Sequence, residues 1–179
     1  RHVAALLAAL YERKRAVHGF TEGGSICTNA DRHIGKRVIL NIDLLDFFPS
    51  IHFGRVRGVF RKPPFSFNHT VASTLAQLCT NNRRLPQGAP SSPVVSNLVC
   101  RGLDNELDRL CKLSSCAYTR YADDITVSSA ANALPVDLVE SHSGDGSQVV
   151  LGHKLTATIG KHDFKVNPKK SRVRTNRQR

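Results

Sequence analysis

Two adjacent aspartates, Asp123 and Asp124, stand between two runs with the residue pattern of β-strands. Before them Ala117, Thr119 and Tyr121 alternate with Tyr118 and Arg120; after them Ile125-Thr126-Val127 is β-branched throughout. Such runs around a short Asp pair predict a hairpin over 117–128 with the acids at its tip. Two anions side by side repel, so this turn costs stability unless a cation is held there. An exposed Asp-rich turn is the other reading, because Asp is a favoured turn residue.

The chain has 179 residues, enough for one domain with a substantial core, and 40% hydrophobic against 22% charged residues fits a globular protein. No apolar run is long enough to span a bilayer. The start, Arg1-His2-Val3-Ala4, shows no signal peptide and there is no Met anywhere, so a partial, cytoplasmic chain is expected. The net charge is +12, and the last stretch, from Lys161 onward, is the most basic. A polyanion partner follows, most simply nucleic acid, with a solubilising surface as the alternative. The five cysteines show no C-x-x-C spacing, which argues against zinc and a disulfide framework and for buried thiols.

Along the chain, residues 1–16 read as a helix with Val3, Leu6, Leu7 and Leu10 on one face. Ser25 caps a helix over about 26–35. Residues 37–43 form the clearest strand, apolar enough to be buried on both faces and central in a sheet. A turn at Asp46–Ser50 precedes a helix over about 52–61, capped by Ser50 and closed by Pro63-Pro64. Another spans 67–79 with Val71, Leu75 and Leu78 as its apolar stripe. A loop with three prolines, Arg83 to Pro93, runs into a helix over about 93–111. Leu98, Leu103, Leu107 and Leu110 face the core there, while Asp104 and Asp108 form the solvated face and Asp108 pairs with Lys112. Residues 130–150 are the least readable, with a polar loop at 141–147. A helix over 149–160, a short strand at 164–166 and a turn into a last strand complete the order.

Strand, helices, hairpin, helix, strand gives an α+β fold: a split β-α-β-β-α-β (ferredoxin-like) antiparallel sheet with helices on one face. That topology sets the end of the first strand beside the hairpin, so Asp43 is expected next to Asp123. Three carboxylates on adjacent strands are hard-oxygen ligands suited to Mg²⁺ or Mn²⁺. Two such ions activate a hydroxyl and stabilise a leaving pyrophosphate. The residues alone leave two readings: metal-assisted phosphoryl transfer on a polynucleotide, and a basic binding domain with a structural sheet.

Four ordered blocks extend this. Asn41-Ile-Asp43-Leu-Leu-Asp46-Phe-Phe48-Pro-Ser-Ile51, Leu85-Pro-Gln87-Gly88-Ala-Pro-Ser-Ser-Pro93, Tyr121-Ala-Asp123-Asp124 and Gly160 to Lys170 together resemble a reverse transcriptase of bacterial retron or group II intron type. His18-Gly-Phe20, Ser25-Ile26 and Asn29-Ala30 with His33 resemble the retron-like members. The resemblance covers most of 18–173. It implies a polymerase palm with partial helical fingers in one domain: about 1–36 and 52–92 fingers-like, 37–51 and 93–179 palm, thumb absent.

It also implies roles. Asp43, Asp123 and Asp124 would bind two Mg²⁺ ions, joined by the backbone carbonyl of Leu44. Phe48 would lie under the sugar and exclude a ribose 2′-OH; its other reading is a core aromatic beside Phe47. Gln87 and Gly88 would touch the incoming nucleotide and template, and Tyr121 would pack near the primer end. Lys170 would assist the leaving pyrophosphate as a general acid. Asp46 would be structural or near the triphosphate. Arg37, Arg83 and Arg84 would contact phosphates or remain solvated. The glycines at Gly23-Gly24 depart from a basic residue often found there.

The partners implied are an RNA template, a DNA or RNA primer, dNTPs and a dedicated structured RNA, with no membrane; retron-type members suggest an antiviral role. Two alternatives stay open: a catalytically silent nucleic-acid-binding fragment, and an RNA-templated RNA polymerase on the same palm.

Overall fold

In the computed structural model, which describes residues 2–175, the elements in chain order are α1 (His2–Leu10), α2 (Ile26–Asp31), β1 (Val38–Asp43), α3 (Phe47–Ser50), α4 (Phe53–Arg61), α5 (His69–Cys79), α6 (Ser92–Val99), α7 (Arg101–Leu113), β2 (Ala117–Tyr121), β3 (Asp124–Ser129), β4 (Val139–His142), β5 (Val149–Leu151), α8 (His153–Lys161) and β6 (Arg172–Thr175). They fall into two compact units. Residues 13–45 and 102–175 build a sheet unit, and residues 2–12 and 46–101 a helical unit. Residues 13–36, grouped with the helices by sequence, belong with the sheet because their backbone docks on β2: His18 N donates to Arg120 O (2.9 Å) and Arg120 N to Ala16 O (2.8 Å).

The four-stranded sheet has the order β2-β3-β1-β6 with every pairing antiparallel. This is an α+β arrangement. Val38, Leu40 and Ile42 of β1 are buried, whereas Ile39 and Asn41 are half-buried, so only one face of this central strand is fully covered. Leu40 lies opposite Val127 on β3 and Val173 on β6, and Ile42 opposite Ile125. Those side chains form the apolar core of the unit together with Leu103 and Leu107 from α7 and Leu155 and Ile159 from α8. The other register of β2 and β3 carries hydroxyls. There Asn41 Nδ2 donates to Thr126 Oγ1 (3.0 Å), and buried His33 bridges Ser128 Oγ (2.6 Å) and Thr119 Oγ1 (2.7 Å). The turn after α2 therefore contacts the hydroxyl-bearing register, a feature that the expectation of helices on one face omits.

The helical unit is built on α4 and α5, with Val56, Phe60, Ala72 and Ala76 fully buried. The stripe expected on α5 is displaced. Val71 and Leu78 are exposed (42% and 67%) and Leu75 is half-buried, while Ala72, Ala76 and Cys79 face inward. Small residues let the α4–α5 pair approach closely, which wins over side-chain size. Asn68, not residue 67, opens this helix by accepting from Val71 N. Ser50 does not cap α4 either: it ends the single turn α3, its hydroxyl donating to Phe47 O, and His52 Nδ1 accepts from Gly54 N instead.

Other boundaries shift for local reasons. α1 stops at Leu10 and buries only Leu7, and in the loop that follows Arg13 donates to Val17 O and Glu22 O. α2 is short, capped by a Ser25–Thr28 capping box. The helix expected over 93–111 is two helices separated at Cys100, with Leu110 only half-buried. The helix expected from residue 149 begins at His153; 149–151 instead pair with β4 in a second, two-stranded sheet. Residues 164–166 contribute one bridge, Leu44 to Val166, and no strand. Cys79, Cys100, Cys111 and Cys116 are buried and outside any disulfide, but Cys27 is exposed.

Candidate active site

The chemistry converges where β1 ends against the β2–β3 hairpin. Antiparallel pairing continues to the last residue of β1, setting Asp43 opposite Asp124, and Leu44 N then donates to Asp123 O (3.0 Å). Asp43 is buried, Asp123 half-buried and Asp124 exposed. The turn itself is Ala122-Asp123, with buried Ala122 at φ +56°. That left-handed conformation is unfavourable for a residue bearing Cβ. Two contacts hold it. Arg120 Nη1 donates to Ala122 O (2.9 Å), and Gly19 lies so close beneath that a Cβ there would stand 2.5 Å from Ala122 N. Gly19 thus permits a backbone approach that no other residue allows.

Arg120 is itself fully buried and anchored on Asp104 of α7, with Nε at 2.7 Å from Oδ1 and Nη2 at 2.9 Å from Oδ2. Tyr118 Oη also donates to Asp104 Oδ1 (2.7 Å). Asp104, expected on the solvated face of its helix, is therefore a buried anion. Helix periodicity could not show this, since its only sequence signal is Arg120 at a strand position that faces the core.

A segment after α8 closes the site. Asn167 N donates to Asp43 O (2.8 Å), Asn167 Nδ2 to Asp43 Oδ1 (3.2 Å), and Lys170 Nζ to Asp43 Oδ2 (2.8 Å). Asn167 had no role from sequence. The acids act on one another: although Asp124 keeps an exposed surface, partial desolvation of its carboxyl first, then the charges of Asp123 and Asp43, push it above the usual carboxylate range, with Lys170 opposing. The hydrogen bond to Asp43 and the surrounding negative charge raise Lys170 in turn.

Of the other sequence-predicted residues, buried Leu44 and half-buried Tyr121 belong to this unit, Tyr121 pairing with Asp124. Phe48, Gln87 and Gly88 lie in the helical unit. Phe48 is half-buried, its ring edge-on to Phe47 at 5.2 Å; Gln87 and Gly88 are exposed, Gly88 at φ +86° with open space at its Cβ position. Asp46 is exposed at φ +47° and makes no side-chain cap. Arg37 Nη1 donates to Asn132 Oδ1 (2.9 Å).

Among the described residues no group of three or more His, Cys, Asp or Glu side chains is gathered as a metal cage. The donor set nevertheless suits a hard cation, for the site offers oxygens only, and their mutual repulsion favours positive charge held among them. Lys170 supplies one positive charge there.

A family model described as reverse transcriptase (RNA-dependent DNA polymerase) matches residues 3–179. The chain belongs to the reverse transcriptase family. It is similar to retron reverse transcriptases: 46% identical over 110 residues to the Ec86 protein of Escherichia coli (62% of this chain, 34% of the relative), 40% over 146 residues to the Mx65 protein of Myxococcus xanthus (72% and 34%), and 36% over 174 residues to the Mx162 protein of the same organism (88% and 35%). This reverse transcriptase chain thus spans about a third of the length of these curated relatives. Among the described residues, no helix of this family member is long and apolar enough to cross a membrane.

Proposed function

We propose that this chain is the catalytic palm, with part of the fingers, of a retron-type RNA-directed DNA polymerase that adds dNTPs to a primer 3′ end on an RNA template in the cytoplasm. The observation that carries the reading is the register of Asp43 opposite Asp124, with Leu44 N on Asp123 O, in a chain of this family. In this reading the β2-β3-β1-β6 antiparallel order is the split β-α-β-β-α-β palm sheet.

Asp43, Asp123 and Asp124, with the Leu44 backbone carbonyl, would hold Mg²⁺ or Mn²⁺. Two such ions, when bound, lower the pKa of the primer hydroxyl and take up charge on the leaving pyrophosphate. The protein's part is placement. Arg120 and Gly19 fix the Ala122 turn, and Asn167 fixes the Asp43 carboxylate. Lys170, its proton held firmly by the surrounding anions, would donate to the leaving pyrophosphate once released from Asp43. Phe48 would stand against the sugar, Gln87 and Gly88 against the nucleotide and template, and Tyr121 near the primer end. The partners are an RNA template, a DNA or RNA primer and a dedicated structured RNA.

Primer extension on poly-rA/oligo-dT with Mg²⁺, supplied in parallel with dTTP and UTP, tests this. Incorporation of dTTP over UTP is expected, with Phe48→Ala narrowing the gap; preferential UTP incorporation by the unmodified chain would replace the reading with an RNA polymerase.

A further inference from the structure

Between Asp46 and Asp104 the chain has no Asp or Glu, yet it has Arg55, Arg57, Arg61, Lys62, Arg83, Arg84 and Arg101. Carboxylates are therefore scarce in the stretch that builds most of the helical unit. The ion pairs described for Lys112, Arg120, Lys154, Lys161 and Lys170 all lie in the sheet unit.

Two of these arginines are displayed by a built device. The Arg57 and Arg83 guanidinium carbons lie 5.6 and 5.4 Å from the centroid of the Phe53 ring. Arg57 comes from the same face of α4, one turn on. Arg83 comes from a tight turn, Asn81–Arg84, closed by Arg84 N to Asn81 O and Asn81 N to Arg84 O, both 2.9 Å. Its central residues Asn82 and Arg83 have φ of +47° and +59°. Such a turn normally takes Gly at its second central position. An arginine there is strained, and strain of this kind persists where the surroundings over-determine it. They do here: Phe53 N donates to Arg83 O (2.8 Å) and Leu85 N to Ile51 O (2.9 Å). Beside this pair α4 is nearly flat, for Gly58 has open space at its Cβ position, and exposed Arg61 continues the row from Arg57.

We propose that α4 and the Asn81–Arg84 turn form a sequence-independent contact surface for a nucleic-acid phosphodiester backbone, with Arg57 and Arg83 as its paired anchors. The ring face of Phe53 is taken by guanidinium groups, so the surface reads phosphate rather than stacked bases. Holding both cations on one ring reduces the ordering cost of binding, and the Gly58 face lets a strand approach the helix. The inference rests on the nucleic-acid reading above but not on catalysis.

The test is binding of fluorescein-labelled poly-rA/oligo-dT from 50 to 200 mM KCl. Removing one arginine–phosphate pair lowers the slope of log K against log salt by about 1. Arg57→Gln/Arg83→Gly should lower it by about 2, with the same decrease on a mixed-sequence duplex. The glycine should leave Tm unchanged or higher, which a merely structural Arg83 would not allow. Should that variant fold poorly, Arg57→Gln/Arg61→Gln along the helix row should give a similar decrease. Lys154→Gln/Lys161→Gln removes equal charge elsewhere and should leave the slope unaltered. An unchanged slope in both arginine pairs, or an equal decrease in the lysine pair, overturns the proposal. Wild-type binding with this pattern but no primer extension would instead count against the polymerase reading alone.

Discussion

Arg120, with no exposed surface, grips both carboxylate oxygens of Asp104 at 2.7 and 2.9 Å and directs its remaining amino group to the carbonyl of Ala122. One buried pair thereby connects α7 to the turn that carries Asp123. Removing one partner of a buried pair leaves the other charge unpaired, at a cost of about 3–5 kcal/mol. Asp104→Leu should lose that much in urea unfolding. Asp104→Leu/Arg120→Met should recover most of the stability, because an apolar pair of similar volume avoids the unpaired charge. It should not recover activity, since the bond to Ala122 O stays broken.

Lys170 holds Asp43 Oδ2 at 2.8 Å, where a divalent cation would compete for the same oxygen. Lys170→Ala should therefore bind Mg²⁺ several-fold more tightly by calorimetry while slowing incorporation about 10²-fold or more, the range for loss of a general acid. Affinity and rate falling together would contradict this split.

The three acids repel. Because partial desolvation and its acidic neighbours raise Asp124, the folded state holds that proton more tightly than the unfolded chain, so this group's contribution to stability falls as pH rises through the carboxylate range. Asp123→Asn removes one repelling charge and should raise Tm at pH 7 in the absence of divalent cations by about 1–3 °C. The same variant should lose the Mg²⁺-induced rise in Tm expected of the unmodified chain.

His33, buried between Ser128 and Thr119, is pushed down to about 4, chiefly by burial and then by His18, Arg32 and Lys36. Its neutral form is the folded one. Below the ordinary histidine pKa the unfolded chain takes up a proton that the folded one refuses, so stability falls as pH drops from about 6.5 to about 4 and is flat below. The full effect is about 3 kcal/mol. His33→Asn should lower stability at pH 7 and flatten that part of the pH profile, measured by urea unfolding between pH 4 and 7.

On α5 the inward residues are Ala72 and Ala76, while Leu78 is exposed. Ala76→Leu should cost about 1–3 kcal/mol through overpacking, and Leu78→Ala less than about 0.5 kcal/mol.

The core of the sheet was readable because β1 and the hairpin obey strand patterning, which brings Asp43 to the hairpin tip; the expectation set it next to Asp123, and the observed register sets it opposite Asp124. Failures arose where size or sign misleads. Leu78 outranks Ala76 by hydrophobicity, yet helix spacing selects the smaller residue. Asp104 at a helix position looks solvated until its partner, sixteen residues on and on another element, is known. Asn167 carried no periodic signal at all, since its role comes from a loop returning to β1.

The central claim is that Asp43, Asp123 and Asp124 act as one metal-dependent catalytic site. The most direct measurement is Mg²⁺-dependent dTTP incorporation on poly-rA/oligo-dT by the full gene product containing this chain, beside its Asp123→Asn/Asp124→Asn variant. Incorporation by the first and none above background by the second is predicted; incorporation by the double variant at the unmodified rate would contradict it.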